Sequence, residues 1–121
     1  MLVEAVKANK HIGSSTAVLA SMDVTDGSVI LRTTNLGDSG YVIFRAPSMG
    51  SQSQDNLEVY FRSKEQQYQF NFPYQCGTNC ELPYKAFDHS HKLEDRDIIV
   101  MGSDGLFDNL YHEDMLACIY P

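Results

Sequence analysis

Asp97-Ile98-Ile99-Val100-Met101-Gly102-Ser103-Asp104-Gly105-Leu106-Phe107-Asp108-Asn109 is the stretch whose pattern orients the rest of this chain. A short apolar run closed by Gly102 reads as a compact buried strand. Asp104 leaves that strand at its tip, and Gly105 beside it removes the side chain that would crowd a ligand. Asp108 follows four residues later, so a helical or turn-like path sets both carboxylates on one side. Carboxylate oxygens so presented suit a hard divalent cation, Mg²⁺ or Mn²⁺. On spacing alone, however, Asp-Gly is first of all a turn.

Upstream, Asn35-Leu36-Gly37-Asp38-Ser39-Gly40 sets a third carboxylate in a glycine-framed turn. It leads into a strand, Tyr41-Val42-Ile43-Phe44-Arg45, and follows one predicted over Ser28 to Thr34. Ser15 to Asp23 alternates apolar and polar residues, and Asp26-Gly27 joins it to Ser28 as a hairpin. Leu57, Val59 and Phe61 alternate with Glu58, Tyr60 and Arg62, the pattern of a strand with one wet face. Residues 46–56 are small and polar and read as a loop. From Glu65 to Tyr84 no period survives; the segment reads as irregular and aromatic-rich, and residues 66–85 are the expected substrate-facing surface. A short amphipathic helix is expected at the start, around Leu2, Val3 and Val6. Another should begin near His112, with Glu113 and Asp114 in a first turn that favours anions.

The chain has 121 residues, enough for one domain at most, and no apolar run long enough to cross a bilayer. Its formal charge is −7, which argues against a nucleic-acid or anionic-membrane surface. The excess is local: residues 88–121 hold 2 basic and 8 acidic side chains. Such a cluster is a solvated face or a cation site, and charge alone does not choose. The three cysteines, Cys76, Cys80 and Cys118, cannot all pair with one another, which points to an intracellular protein. Cys76, Cys80, His89 and His91 could be assembled into a zinc set, but Cys-x3-Cys followed by His-x-His fits no common ligand spacing.

About five antiparallel strands and two helices cannot cover both faces of such a sheet. Residues 1–121 therefore read as one incomplete domain, lacking N-terminal and C-terminal portions.

Four blocks together resemble the metal-dependent serine/threonine protein phosphatases of type 2C. They are Gly13-Ser14-Ser15-Thr16-Ala17, Thr34 to Gly40, Asp97 to Asn109, and Glu65-Gln66-Gln67 with Phe70-Asn71-Phe72-Pro73-Tyr74-Gln75. The last is similar to a small branch of the family with mitochondrial and plastid members. The resemblance implies an α+β fold, a partial αββα β-sandwich of mainly antiparallel strands flanked by helices. It implies hydrolysis of phosphoserine and phosphothreonine in protein substrates by metal-activated water, with two or more Mg²⁺ or Mn²⁺ ions in the complete domain. By match to the motif, Asp104 would be a direct metal ligand, with Asp38 and Asp108 nearby as water-mediated partners or ligands of a further ion. The family's Asp-Gly-x-Gly-Gly segment, its phosphate-gripping arginine and its final Asp-Asn ligand pair have no counterpart here, so no catalytic residue is assigned and the chain alone is expected to be inactive. The partners implied are phosphoproteins, not nucleic acid or membrane. A monomer in the cytoplasm or mitochondria is expected. The alternative is a non-catalytic module that keeps the sandwich without the metals.

Overall fold

The structure is a computed structural model that describes residues 1–47, 57–80 and 83–119. Helix α1 (Leu2–Ala8) and strand β1 (Ser14–Ser15) precede β2 (Ala17–Thr25), β3 (Ser28–Leu36), β4 (Gly40–Arg45) and β5 (Glu58–Arg62). The short β6 (Gln67–Gln69), β7 (Phe72–Pro73) and β8 (Cys76–Gly77) follow, then β9 (Phe87–Leu93) and β10 (Ile98–Gly102). Helices α2 (Asp104–Phe107) and α3 (His112–Ile119) complete the order. Two antiparallel three-stranded sheets, β2-β3-β9 and β10-β4-β5, form the two layers of a sandwich. The expected antiparallel sandwich with flanking helices is the observed fold.

Strand β4 is central, and Tyr41, Val42, Ile43 and Phe44 are all fully buried. Alternation sends them to opposite layers. Tyr41 and Ile43 join Leu31, with Val18, Phe61, Leu93 and Ile99, in the space between the sheets. Val42 and Phe44 join Leu57 and Met115, with Leu106, Phe107 and Leu116, under the two C-terminal helices. Burial of each such side chain contributes about 1.5–3 kcal/mol, so β4 is the strand both layers depend on.

Three expectations are corrected. Strand β9 is not foreseen from its sequence, although it lines β3 from Val29↔Leu93 to Asn35↔Phe87. The stretch read as irregular holds an antiparallel hairpin, β6–β7, and the strand β8 paired with β1. Strand β5 does not keep one dry face. A register shift next to Ile43 and Phe44 turns Phe61 toward the inter-sheet space, while Leu57 packs on the helix side and Val59 is 40% exposed. A bulge inserts one residue and thereby swaps the faces before and after it. The loop expected over residues 46–56 falls mainly on residues 48–56, which lie outside the described residues.

Candidate active site

The ends of three segments meet at one edge of the β10-β4-β5 sheet. Gly102, the last residue of β10, pairs with Gly40, the first residue of β4. Asp104 follows Gly102 by two residues and Asp38 precedes Gly40 by two. On the other side of β4, Ser63 donates its N–H to the Tyr41 carbonyl, while its hydroxyl accepts the Tyr41 N–H at 2.9 Å. Strand order therefore brings the Asp38 turn, the Asp104 turn and the end of β5 together.

The Asp38 turn is held from below. Gly37 has φ of 96°, and Gln66 grips it from both sides: the Gln66 N–H donates to the Gly37 carbonyl at 2.8 Å, and the Gly37 N–H donates to Gln66 Oε1 at 3.2 Å. The remaining Gln66 amide nitrogen donates to the Lys85 carbonyl at 2.7 Å, tying the turn to the segment that leads into β9. The Ser39 and Thr16 hydroxyls share a hydrogen bond of 2.7 Å across to the residue that precedes β2. The sequence block Glu65-Gln66-Gln67 thus has a defined task, which its composition did not disclose.

Asp104 opens α2, and its Oδ1 accepts the Gly105 N–H at 2.8 Å. The Asp108 N–H donates to the Asp104 carbonyl at 2.7 Å, and this single helical turn sets the two side chains in succession on one side. Asp38 is only 5% exposed. Burial pushes its carboxyl above the ordinary value; hydrogen bonds from backbone N–H groups oppose this, and the negative charges of Asp104 and Asp108 add to the rise. The three candidate residues therefore lie within electrostatic reach of one another. Among the described residues none of the three has an ion-pair partner within salt-bridge distance.

The donor chemistry fits a hard divalent cation: carboxylate oxygens, excess negative charge, and one of the three removed from water. The three do not close a ligand cage by themselves. Among the described residues no group of three or more His, Cys, Asp or Glu is gathered tightly enough to hold a metal ion. The same finding disposes of the zinc set. Cys76 sits on β8 with its thiol toward the Ser15 carbonyl, whereas His89 and His91 pack on Phe61 between the sheets. Cys76, Cys80 and Cys118 are all free thiols.

Two further residues border the site. Arg62, read from its alternation as part of a wet face, stacks its guanidinium 3.6 Å above the Phe107 ring. Burial lowers its pKa, with Glu65 and Asp108 opposing. The β6–β7 hairpin, anchored through Gln66, carries Phe70 at 92% exposure, with Phe72 and Tyr68 also exposed.

A chain from Oryza sativa subsp. japonica, "Probable protein phosphatase 2C 71", is 39% identical over 108 residues, covering 88% of this chain and 20% of that protein. The Drosophila yakuba "Protein phosphatase PTC7 homolog fig" is 39% identical over 108 residues, covering 82% of this chain and 30% of that protein. The X-ray structure of the photosystem II phosphatase PBCP superposes with a TM-score of 0.82 at 28% identity, covering 98% of this chain and 42% of that one. This chain belongs to the type 2C protein phosphatases. No protein-family model matches it. This type 2C phosphatase chain spans between a fifth and a third of the length of the curated relatives named above. Among its described residues no helix is long and apolar enough to cross a membrane.

Proposed function

We propose that this chain is part of a longer type 2C domain that hydrolyses phosphoserine and phosphothreonine in proteins, and that Asp104, Asp38 and Asp108 are its contribution to a Mg²⁺ or Mn²⁺ site. The observation that carries this reading is a buried Asp38 facing two more carboxylates with no cationic side chain paired to any of them. A buried carboxylate without a counter-charge costs several kcal/mol, and a bound cation is what would offset it. Such an ion, when bound, neutralises phosphoryl oxygens and acidifies a water molecule.

The residues of this chain have separable tasks in that reading. Asp104 projects from the end of β10 as a direct ligand. Asp38, fixed by Gln66 and Ser39, supplies charge at a set position, and Asp108 holds the outer side. The exposed aromatics of the hairpin, rooted on the same Gln66, face the substrate polypeptide. The block Glu65-Gln66-Gln67 with Phe70 to Gln75, similar to the branch with mitochondrial and plastid members, supports a cytoplasmic or mitochondrial location in this reading.

The test is Asp104→Asn in the natural protein that carries this chain, assayed with Mn²⁺ on phosphoserine and phosphothreonine peptides. Asparagine is nearly isosteric and lacks the charge. Phosphate release is expected to vanish with the circular dichroism spectrum unchanged. Turnover equal to wild type would remove Asp104 from the site. Asp38→Asn is expected to weaken activity and raise the Mn²⁺ requirement; a wild-type rate at limiting Mn²⁺ would count against its role.

A further inference from the structure

We infer that Arg62 is a phosphoryl-binding residue, its guanidinium laid on the Phe107 ring to receive two oxygens of a phosphate monoester at the acidic end of the β10-β4-β5 sheet. The ligand class rests on the phosphatase reading above; the site rests on the geometry of this chain.

Arg62 ends β5 opposite Val42, which places it on the helix-covered side of the sheet. Its guanidinium carbon lies 3.6 Å from the centroid of Phe107, the last residue of the turn that begins with Asp104 and is capped by Asp108. Stacking on a ring fixes the plane of the guanidinium and leaves its edge donors open.

Arg45 on the same sheet shows what a satisfied arginine looks like here. It binds Asp97 through two hydrogen bonds of 2.8 and 2.7 Å and reaches Glu94 and the Lys92 carbonyl, both at 3.1 Å. Arg62 has, among the described residues, one long contact of 3.5 Å to Glu65 Oε1. Charge-assisted bonds of this kind run about 2.7–2.9 Å, so that contact is weak. Glu65 is itself 44% exposed, and its other oxygen accepts from Gln67. The Arg62 side chain is 25% exposed, so most of it is withdrawn from water with only that long Glu65 contact in return. Three neighbouring carboxylates alone would repel a phosphate dianion. A planar fork of N–H donors matches two of its oxygens.

The test has two arms. In the natural protein that carries this chain, with saturating Mg²⁺, inorganic phosphate is titrated while the Arg62 Nε–Hε resonance is followed by NMR. A saturable shift is expected, absent in Arg62→Met, which keeps a long apolar stem on Phe107, and roughly tenfold weaker in apparent affinity in Arg62→Lys, which keeps charge but loses the fork. An unmoved wild-type resonance would overturn the inference. In the natural protein that carries this chain, Arg62→Met is expected to raise both KM for p-nitrophenyl phosphate and the inhibition constant of orthophosphate roughly tenfold, with the Mn²⁺ half-saturation unchanged. An unchanged inhibition constant in an active variant would also overturn it. A wild-type protein with no Mn²⁺-dependent turnover, but with the phosphate-induced shift, would refute the phosphatase reading and leave the Arg62 site standing.

Discussion

Gly37 and Gly105 each adjoin a candidate ligand, and they are glycine for different reasons. A Cβ on Gly37 would lie 2.5 Å from both the Thr16 methyl and the Tyr74 carbonyl oxygen, at a φ of 96°. Backbone strain and collision add, so Gly37→Ala should destabilise the chain by about 2–4 kcal/mol. A urea midpoint within error of wild type would refute that. A Cβ on Gly105 would meet nothing closer than the Ser103 hydroxyl at 3.4 Å. Within this chain Gly105→Ala should therefore leave stability unchanged or raise it by up to about 1 kcal/mol, alanine being the better helix former. If the open space above Gly105 belongs to a ligand, the added methyl lowers phosphate release without touching the fold; unchanged activity would show that the space is not used. Asp38 gives a matching test of charge. Burial and then the Asp104 and Asp108 charges raise its carboxyl, so its favourable contribution is whole below the ordinary 3.8 and is lost as pH rises through the higher native value. Asp38→Asn should therefore raise the melting temperature at pH 7 without divalent ions by roughly 3–6 °C, with no gain at pH 3. Saturating Mn²⁺ should reverse the ranking. A variant less stable than wild type without metal would sink the argument.

At the scale of elements, the far end of β4 is fastened rather than poised. The Asp97 side chain is 2% exposed and joins Arg45 to the turn between β9 and β10, also accepting the Glu94 N–H at 2.8 Å. Burial alone would lift the Asp97 carboxyl, but the hydrogen bonds from Arg45 and Glu94 and the Arg45 charge outweigh it, and the net shift is downward. The stability it supplies is thus in place above the ordinary 3.8 and is lost as pH falls through the lower native value. Asp97→Ala should cost about 3–5 kcal/mol at pH 7, because it strands a buried guanidinium, and the difference from wild type should shrink as the pH drops toward 2. A pH-independent difference would exclude the ion pair as its source. Elements also mark where sequence reading stopped. Strands β2, β3, β4 and β10 announce themselves through β-branched and aliphatic residues. Strand β9 does alternate, but two of its inward positions are His89 and His91, which a search for apolar periodicity passes over. The bulge in β5 has no residue signature at all, since Tyr60 is an ordinary strand former. The Asp38 and Asp104 turns were legible as glycine-framed carboxylates, whereas Arg62 and Gln66 were not. Their importance comes from what the fold sets beside them, not from their neighbours in the chain.

Across the whole molecule, the two sheets enclose a polar patch within their shared core. Thr33 donates to the Tyr41 hydroxyl at 2.7 Å, which in turn shares a 2.7 Å hydrogen bond with His91 Nε2. His89 stacks beside His91 with ring centroids 5.9 Å apart, and its buried Nδ1 has no hydrogen-bond partner among the described residues. Burial first, then the nearness of His89 and of Arg45, lowers the His91 pKa. Neutral His91 therefore supports the fold above the ordinary 6.5, and that support is lost as pH falls through the lower native value. The urea midpoint should decline between pH 7 and pH 5, and His91→Phe should flatten the decline. An equal slope in both proteins would mean that another group sets it. The sandwich has a mechanical corollary as well. Asp38 rides on the link by which the backbone crosses from one sheet to the other, whereas Asp104 is fastened to a single sheet. Any slippage between the layers thus alters the gap separating those two carboxylates, and under the proposed function the affinity for the cation becomes a gauge of layer alignment. Cavities opened at Phe61, well away from the acids, would register as weakened Mn²⁺ retention before the protein melts.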